Sequence, residues 1–418
     1  MTEVPLNERF MSRENLQDPL PSLAKAREDE PIFRTIDSKG RLMYVLTHHD
    51  LVKECFGRQE DFSSQFAFLV RTGSGNAEAN RILASTGFDY ENHGAALLNQ
   101  DDPVHKRRRS LVQPAFSISA VNRLTDYLNL AADELIDKFI DRGEFDVDDD
   151  FAVPFALMAI LDILGMDKSV IQKGHEWSHA AITRTGGLAS AEEEIAAARS
   201  LVEFQQYIRK ALRDLSARPG EDLTSHVLLQ NKQAEDPLSE DELVDFLLEL
   251  FLGGNETSKT TIVAGMALMA QHPDQWKLLK ETPSLAANAA EEILRHHSTG
   301  SCIFRIAARE TQIGGVAIPK GAIMMLRQDS ANRDEQLFSD SAKFDITRNN
   351  ARQHMTFGYG VHSCLGQALA RRELVVALQK LSTHLGNIRL VKEKSDLRRH
   401  DNLIVHSLRK VTLSFSRA

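Results

Sequence analysis

Apolar residues recur at helical spacing through most of the middle of the chain and alternate in strand-like fashion only near its start and in a late segment. Asn122 to Phe139, Pro154 to Leu164, Glu192 to Leu215 and Leu223 to Gln230 carry them at three- and four-residue intervals with few breakers, which predicts successive helices from Val121 onward. Leu16 to Asp61 mixes a short helical run with an extended patch, Arg41-Leu-Met-Tyr-Val-Leu46. Ile306 to Met325 reads as short strands with Gly314-Gly315 and Pro319-Lys-Gly321 as turns. The pattern predicts a mainly α fold with a smaller β-rich part, an α+β class, with β structure near residues 30–60 and 300–326 and helices over 105–297 and 364–385. No Gly/Ser-rich linker, charge block or repeat divides the chain, so a single two-lobed domain over 1–418 is expected.

Two segments depart from ordinary patterning. Between Ser63 and Gln100 the periodicity breaks down around Gly73, Gly75, Gly87 and Gly94, and so long a loop suggests a lid or binding segment. From Ser239 to Gln271 the opposite holds. Ser239 and Glu242 form a capping box, Glu240 and Asp241 suit the positive end of the helix dipole, and Pro273 follows the end. The pattern predicts a helix of about 45 Å, and its apolar residues, from Leu243 to Leu268, surround most of its circumference. Gly253 and Gly254 interrupt it at the centre, beside Glu256 and Thr257. Close packing would explain two glycines, and so would a local kink that makes room for a ligand; a buried acid and hydroxyl favour the second.

Composition narrows the class. Apolar residues make up 42%, charged residues 26%, and the formal net charge is −9, which suits an enzyme with a large core and argues against nucleic acid as a partner. The polar N-terminus and the absence of a long apolar run predict neither signal peptide nor membrane anchor, and a cytoplasmic location. Three widely spaced cysteines, Cys55, Cys302 and Cys364, fit neither a disulfide framework nor a paired zinc site.

Cys364 has the most specific surroundings, Phe357-Gly-Tyr-Gly-Val-His-Ser-Cys-Leu-Gly366, and opens an amphipathic run, Leu365 to Leu385. A helix beginning there favours a thiolate through its amide dipoles, and the glycines allow a tight turn that aims amides at sulfur. These residues resemble the cytochrome P450 superfamily, specifically its soluble bacterial members, from about Ala24 to the C-terminus. Phe357, Gly360, His362, Cys364 and Gly366 are similar to its haem-binding loop, Glu292 and Arg295 to its Glu-x-x-Arg pair, and Gly254-Asn-Glu-Thr257 to its oxygen-activating motif. His105 and Arg109 resemble its propionate-binding helix, Arg305 matches a further propionate-binding arginine, and Ala331-Asn-Arg-Asp334 with Phe338 matches the loop before the cysteine.

The resemblance implies a P450 fold whose long central helix crosses a haem b (iron protoporphyrin IX) ligated by Cys364. It implies His105, Arg109, Arg305, Phe357 and His362 as cofactor-binding residues and Glu256 and Thr257 as the acid and alcohol that deliver protons. Glu292 and Arg295 then lock the loop near Asn332 and Arg333. The activity implied is a monooxygenase that uses O2 to hydroxylate a C–H bond, with a peroxide-driven or rearranging enzyme, or a haem sensor or carrier, as alternatives.

Electrons are expected from a separate ferredoxin and ferredoxin reductase, since no flavin or iron-sulfur module is recognisable, and a monomer is expected. Lys106, Arg107, Arg108, Arg371 and Arg372 suggest a basic docking patch for the ferredoxin. A hydrophobic small-molecule substrate is expected, in a pocket lined by Phe66, Phe68, Leu69, Phe88, Leu250, Gly253, Ile303, Phe304, Leu403 and Ile404. Two residues depart from the family pattern. Gly253 stands where Ala is more common, which predicts a wider space, and Thr299 replaces a common proline, which predicts an altered path into Ile303 and Phe304.

Overall fold

The computed structural model describes residues 10–37, 39–70, 76–86, 97–185 and 189–418. The helices predicted by periodicity form at Thr125–Asp137, Val153–Leu164, Ala191–Ala217 and Leu223–Gln233, with short Ile118–Arg123 in front. Helix Ile171–Thr185 lies inside the helical part expected over 105–297, though its own period does not single it out. Gln172, Lys173, His175, Glu176 and His179 dilute its apolar face, whose main anchor is Trp177, stacked on Phe204 at 4.8 Å. The expected long loop after Ser63 contains two short helices among its described residues, Ala67–Val70 and Ala77–Ala84; the second lies against Ala191–Ala217. Its four glycines lie outside the described residues.

The central helix spans Glu240–Gln271, 32 residues, and its capping box is present: Ser239 Oγ accepts from the Glu242 amide at 3.2 Å while Glu242 accepts from the Ser239 amide at 2.9 Å. Its first half, Leu243 to Phe251, belongs to a core shared with Val153–Leu164 and Ala191–Ala217. Its second half, Ile262 to Met269, belongs to another core shared with Thr125–Asp137, Ala286–His297 and Gln367–His384. Each fully buried Leu, Ile or Phe contributes about 1.5–3 kcal/mol, so the helix is held at both ends. Its polar stretch, Gly253 to Thr261, falls at the junction of the two cores, where a functional segment is tolerated.

The two expected β regions join in one five-stranded sheet, ordered Ile32–Ile36, Leu42–Leu46, Ile323–Arg327, Cys302–Ala307, Phe62–Ser63. Leu42–Leu46 and Ile323–Arg327 are parallel, and Cys302–Ala307 runs antiparallel to the latter with Arg305 opposite Met324. Gly314 and Gly315 turn the hairpin of Thr311–Ile313 and Val316–Ile318, as predicted. A second sheet, Glu144–Asp146, Thr412–Arg417 and Leu385–Leu390, lies outside the predicted β regions. Its two six-residue strands, Leu385–Leu390 and Thr412–Arg417, do not alternate regularly between buried and exposed positions, so no strand period stands out. Among the described residues no helix is long and apolar enough to cross a membrane.

Candidate active site

The loop Phe357–Gly366 closes on itself: the Cys364 amide donates to the Phe357 carbonyl at 2.8 Å and the Gly358 amide to the Met355 carbonyl at 2.8 Å. Gly358 and Gly360 adopt φ of 65° and 75°, a region side chains rarely occupy, and a Cβ at Gly360 would meet the Phe56 carbonyl oxygen at 3.2 Å. The following helix, Gln367–His384, begins three residues after Cys364 instead of at Leu365, with Gly366 as its N-cap. Cys364 is accessible to solvent although protein surrounds its sulfur, as for a group on the wall of an interior space. Burial raises its thiol pKa, while the Gly366 amide, Arg109 and Arg371 act in the opposite direction, toward the thiolate.

Phe357 lies over the Arg371 guanidinium, 4.5 Å from carbon to ring centroid. Arg371 in turn donates to Glu291 at 2.7 and 3.3 Å, and Glu291 meets His354 at 3.1 Å. Burial acts to raise the Glu291 pKa, but the hydrogen bonds from His354 and Arg371 hold it at about 2. Arg371 is therefore committed to the interior and not to a docking patch.

Beside the loop, the helix Val104–Val112 presents His105 and Arg109 one turn apart. Arg109 donates to the Ser363 carbonyl at 2.8 Å, and the rings of His105 and His362 lie 4.0 Å apart. His105 also contacts Asp102 at 3.2 Å. Arg305, 3% exposed, donates to the Phe304 carbonyl and sits 5.2 Å from the Phe56 ring. Among the described residues neither Arg109 nor Arg305 has a carboxylate partner. Burial pushes the Arg305 pKa down to about 10, and burial followed by Arg305, His105 and Arg109 pushes His362 down to about 3. Two uncompensated guanidiniums and two neutral imidazoles next to an accessible thiol form a donor set that fits a dianionic porphyrin carboxylate edge with sulfur ligating the metal.

Across the central helix, Gly253 and Thr257 are exposed although most of the neighbouring turns are buried. The helix is continuous through the glycines, so no break occurs. The two glycines have different causes. A Cβ at Gly254 would lie 2.6 Å from Ile160 Cδ1, whereas at Gly253 nothing lies within 4 Å. Close packing explains the first and open space the second. The Thr257 hydroxyl donates to the Gly253 carbonyl at 2.8 Å. Glu256 points elsewhere: it is 3% exposed and its carboxylate lies 3.1 Å from Lys259 Nζ. A further buried acid, Glu373 on the cysteine helix, accepts from Ser258 Oγ at 2.5 Å, and burial pushes it up to about 8. Neither Lys259 nor Glu373 was singled out from sequence; a charge inside an otherwise apolar helical run is the signal that could have found them.

Thr299 is tied to the central helix. Thr261 Oγ1 donates to the Thr257 carbonyl at 2.8 Å, so its 2.8 Å contact with Thr299 Oγ1 has Thr299 as donor. The strand entering Ile303 is thereby fastened one turn from Thr257. Beyond it, Ile303 and Arg305 share a strand face, and alternation turns Phe304 to the opposite one, where it contacts Phe66 at 6.0 Å between centroids. Phe66 and Phe304 are core residues and Leu250 is buried with the central helix, so the pocket expectation narrows. Phe68 is a surface residue under Arg41, Leu69, Leu403 and Ile404 remain partly buried, and Phe88 lies outside the described residues.

Glu292 and Arg295 are both fully buried and joined by two bonds of 2.7 and 2.8 Å. Arg295 also donates to the carbonyls of Asn332 and Ser341, each at 2.9 Å, and Asn332 Oδ1 accepts the Met355 amide at 2.5 Å. The pair thus holds the chain that leads into the cysteine loop. The expected basic patch is largely committed elsewhere: Arg107 pairs with Asp236, Arg108 with Glu242 and Arg372 with Asn122, besides Arg371 with Glu291.

An α+β fold whose cysteine loop adjoins a cationic cradle and a glycine-opened central helix defines a thiolate cofactor enzyme. The sequence model of the cytochrome P450 family matches residues 195–385. Cytochrome P450 107B1 of Saccharopolyspora erythraea is 30% identical over 405 residues, covering 94% of each chain, and 6-deoxyerythronolide B hydroxylase of the same organism is 36% identical over 294 residues, covering 70% of this chain and 71% of that one. The solved structure of cytochrome P450 CREJ in complex with (4-ethylphenyl) dihydrogen phosphate superposes with a TM-score of 0.88 at 30% identity, covering 96% and 98% of the two chains. The chain belongs to the cytochrome P450 family. It is a P450 monooxygenase whose cofactor is haem b.

Proposed function

We propose that the protein hydroxylates a C–H bond of a hydrophobic small molecule, with electrons from a separate ferredoxin and ferredoxin reductase. The observation that carries this reading is the accessible face formed by Gly253 and Thr257 in a helix buried at both ends. Haem b, ligated by the Cys364 thiolate, supplies activation of dioxygen, and thiolate ligation favours O–O cleavage. The roles left to the chain are binding, orientation and proton supply. His105, Arg109, Arg305 and His362 hold the propionates, and Phe357 with Arg371 supports the cysteine loop. Thr257 orders water beside the Gly253 carbonyl, and Glu256 supplies the protons.

Apolar Ile303, Leu403 and Ile404 support a hydrophobic substrate. The relatives do not narrow it further: one carries 6-deoxyerythronolide B in its name and another structure holds an alkylphenyl phosphate. Lys106 on the exposed side of the Val104–Val112 helix, which is bonded to the cysteine loop through Arg109, supports ferredoxin docking there.

A screen of hydrophobic compounds following the haem Soret band, then turnover of responders with ferredoxin, reductase and NADPH, tests the reading. Product that requires NADPH and incorporates oxygen from O2 is expected. Product formed only with added peroxide, or none from any responder, overturns it.

A further inference from the structure

Glu249, Gly253 and Thr257 follow one another at four-residue spacing, which puts them on one face of the central helix. Each retains exposure, whereas Leu250, Phe251, Asn255 and Glu256 between them are buried. Glu249 thus lies about 6 Å along the axis before Gly253, on the face that opens at Thr257. Its carboxylate grips a second segment. Oε2 accepts the Leu97 amide at 3.0 Å and Oε1 accepts the Leu98 amide at 2.8 Å, so consecutive backbone donors engage both oxygens. Charge-assisted bonds of this kind are stronger than neutral ones, and two together fix direction as well as distance.

The two leucines divide. Leu97 packs against the core that holds the first half of the central helix, whereas Leu98 is 41% exposed. The residues that follow are tied down on their other side: Asp101 accepts Ser63 Oγ at 2.5 Å and the Ser64 amide at 2.7 Å, and the Gln100 backbone hydrogen-bonds His362. Ser63 and Asp101 close the base of the segment expected to bind ligand, and Gln100 joins it to the cofactor cradle. Residues 97–101 therefore run from the Gly253 face of the central helix to the cysteine loop. An exposed leucine on that path, its amide held at the Gly253 face, borders the space between them.

We propose that Glu249 is a positioning residue for substrate discrimination: its carboxylate sets Leu98 as an apolar wall of the substrate space. This rests on the reading of the Gly253–Thr257 face as the substrate side of the haem. Glu249 needs no contact with substrate to act. A leucine held through its backbone offers a fixed apolar surface, and a ligand gains from it only when its own chain reaches that surface, so the wall rewards length and shape. The carboxylate is the part that matters. Glutamine has a single acceptor oxygen and holds one of the two amides, while leucine holds neither.

Imidazoles test this in holoenzyme without turnover, because their nitrogen ligates the haem iron and shifts the Soret band whatever the native substrate. Imidazole, 1-butylimidazole and 1-octylimidazole are titrated in turn. In the parent, affinity should rise with chain length. Leu98→Ala should weaken 1-octylimidazole roughly tenfold and leave imidazole unchanged. Glu249→Leu should do the same, and Glu249→Gln should fall between it and the parent. Glu249→Leu/Leu98→Ala should lose no more than either single variant, since Glu249 acts through Leu98. No chain dependence in the parent, additive losses, or weakening of imidazole itself by Glu249→Leu overturns the role. Should imidazole leave the Soret band unmoved, the reading of this face as the open side of the iron fails with it; should a chain dependence persist unaltered in both single variants, the roles of Glu249 and Leu98 alone fail. Glu249→Leu that yields no holoprotein leaves Glu249→Gln and Leu98→Ala to decide.

Discussion

Arg109 donates to the carbonyl of Ser363, the residue before Cys364, at 2.8 Å, so one helix both supplies a cation and braces the cysteine loop. Removing the guanidinium costs the site twice. In Arg109→Leu, transfer of haem to an apoprotein acceptor should be faster by roughly tenfold, because a charge-assisted bond and a loop contact are lost together. Arg109→Lys should recover only part, since an ammonium lacks the planar fork. Haem loss at the parent rate in Arg109→Leu would remove this residue from the cofactor cradle.

Glu292 and Arg295 are each without exposure and satisfy one another with two bonds, while Arg295 also takes three carbonyls. Breaking one partner leaves an uncompensated charge in the core, so Glu292→Gln or Arg295→Met should destabilise the protein by about 3–5 kcal/mol. Urea unfolding measures it. The loss should appear in apoprotein and holoprotein alike, which separates a scaffold from a cofactor contact.

Glu373 shows how acidity and stability connect. Burial raises its pKa from an ordinary carboxyl value to about 8, so between roughly 4.5 and 8 the folded chain keeps a proton that the unfolded chain has released. The folded state binds more protons there, and its stability from this group is complete below the ordinary value and falls as pH rises through 8. Glu291 has the opposite sign: held at about 2, its contribution is present above the ordinary value and is lost as pH falls toward 2. Glu373→Gln should therefore flatten the decline in unfolding midpoint between pH 5 and 8 and leave the acid limb unchanged. A midpoint that declines as steeply in the variant would show that Glu373 is ionised in the fold.

The helices and the cysteine loop were legible because their signals are local: a capping box at Ser239, a helical period, glycines at fixed offsets from Cys364. The network around Glu256 was not. Adjacent positions on a helix are turned about 100° apart, so a motif that reads as an acid beside an alcohol places them on different faces, and only packing shows that Glu256 meets Lys259. Asp148, whose carboxylate lies 3.9 Å from Lys259 Nζ, is more than 100 residues away in sequence, so nothing in the local pattern joins it to them. Phe304 was misplaced for a related reason. Its apolar character suits a pocket or a core equally, and the strand alternation that decides between them depends on register in the sheet.

Thr299 carries a hydroxyl that donates to Thr261, whose own hydrogen is given to the Thr257 carbonyl. Thr299→Val keeps the shape and removes the donor, at a cost of about 1 kcal/mol for a buried neutral bond. In a double-mutant cycle with Thr261→Val, the coupling energy in urea unfolding should be of the same order, about 1 kcal/mol. Additive effects would show that the two hydroxyls do not act as a pair.

Gly253 and Gly254 stand side by side and should respond in opposite directions. A methyl at Gly254 would approach Ile160 Cδ1 to 2.6 Å, so Gly254→Ala forces the packed Ile160 side chain to move and should destabilise by about 1–3 kcal/mol. Pairing it with Ile160→Val, which shortens the side chain, should return part of the loss. At Gly253 the same methyl meets nothing within 4 Å, and replacing glycine by alanine in a helix interior is worth about 1 kcal/mol. Gly253→Ala should therefore raise the unfolding midpoint. The added methyl also enters the accessible face beside Thr257, so it should weaken Soret-detected binding of the bulkiest responding compounds while sparing small ones. Equal weakening across sizes would mean that Gly253 does not border the substrate space.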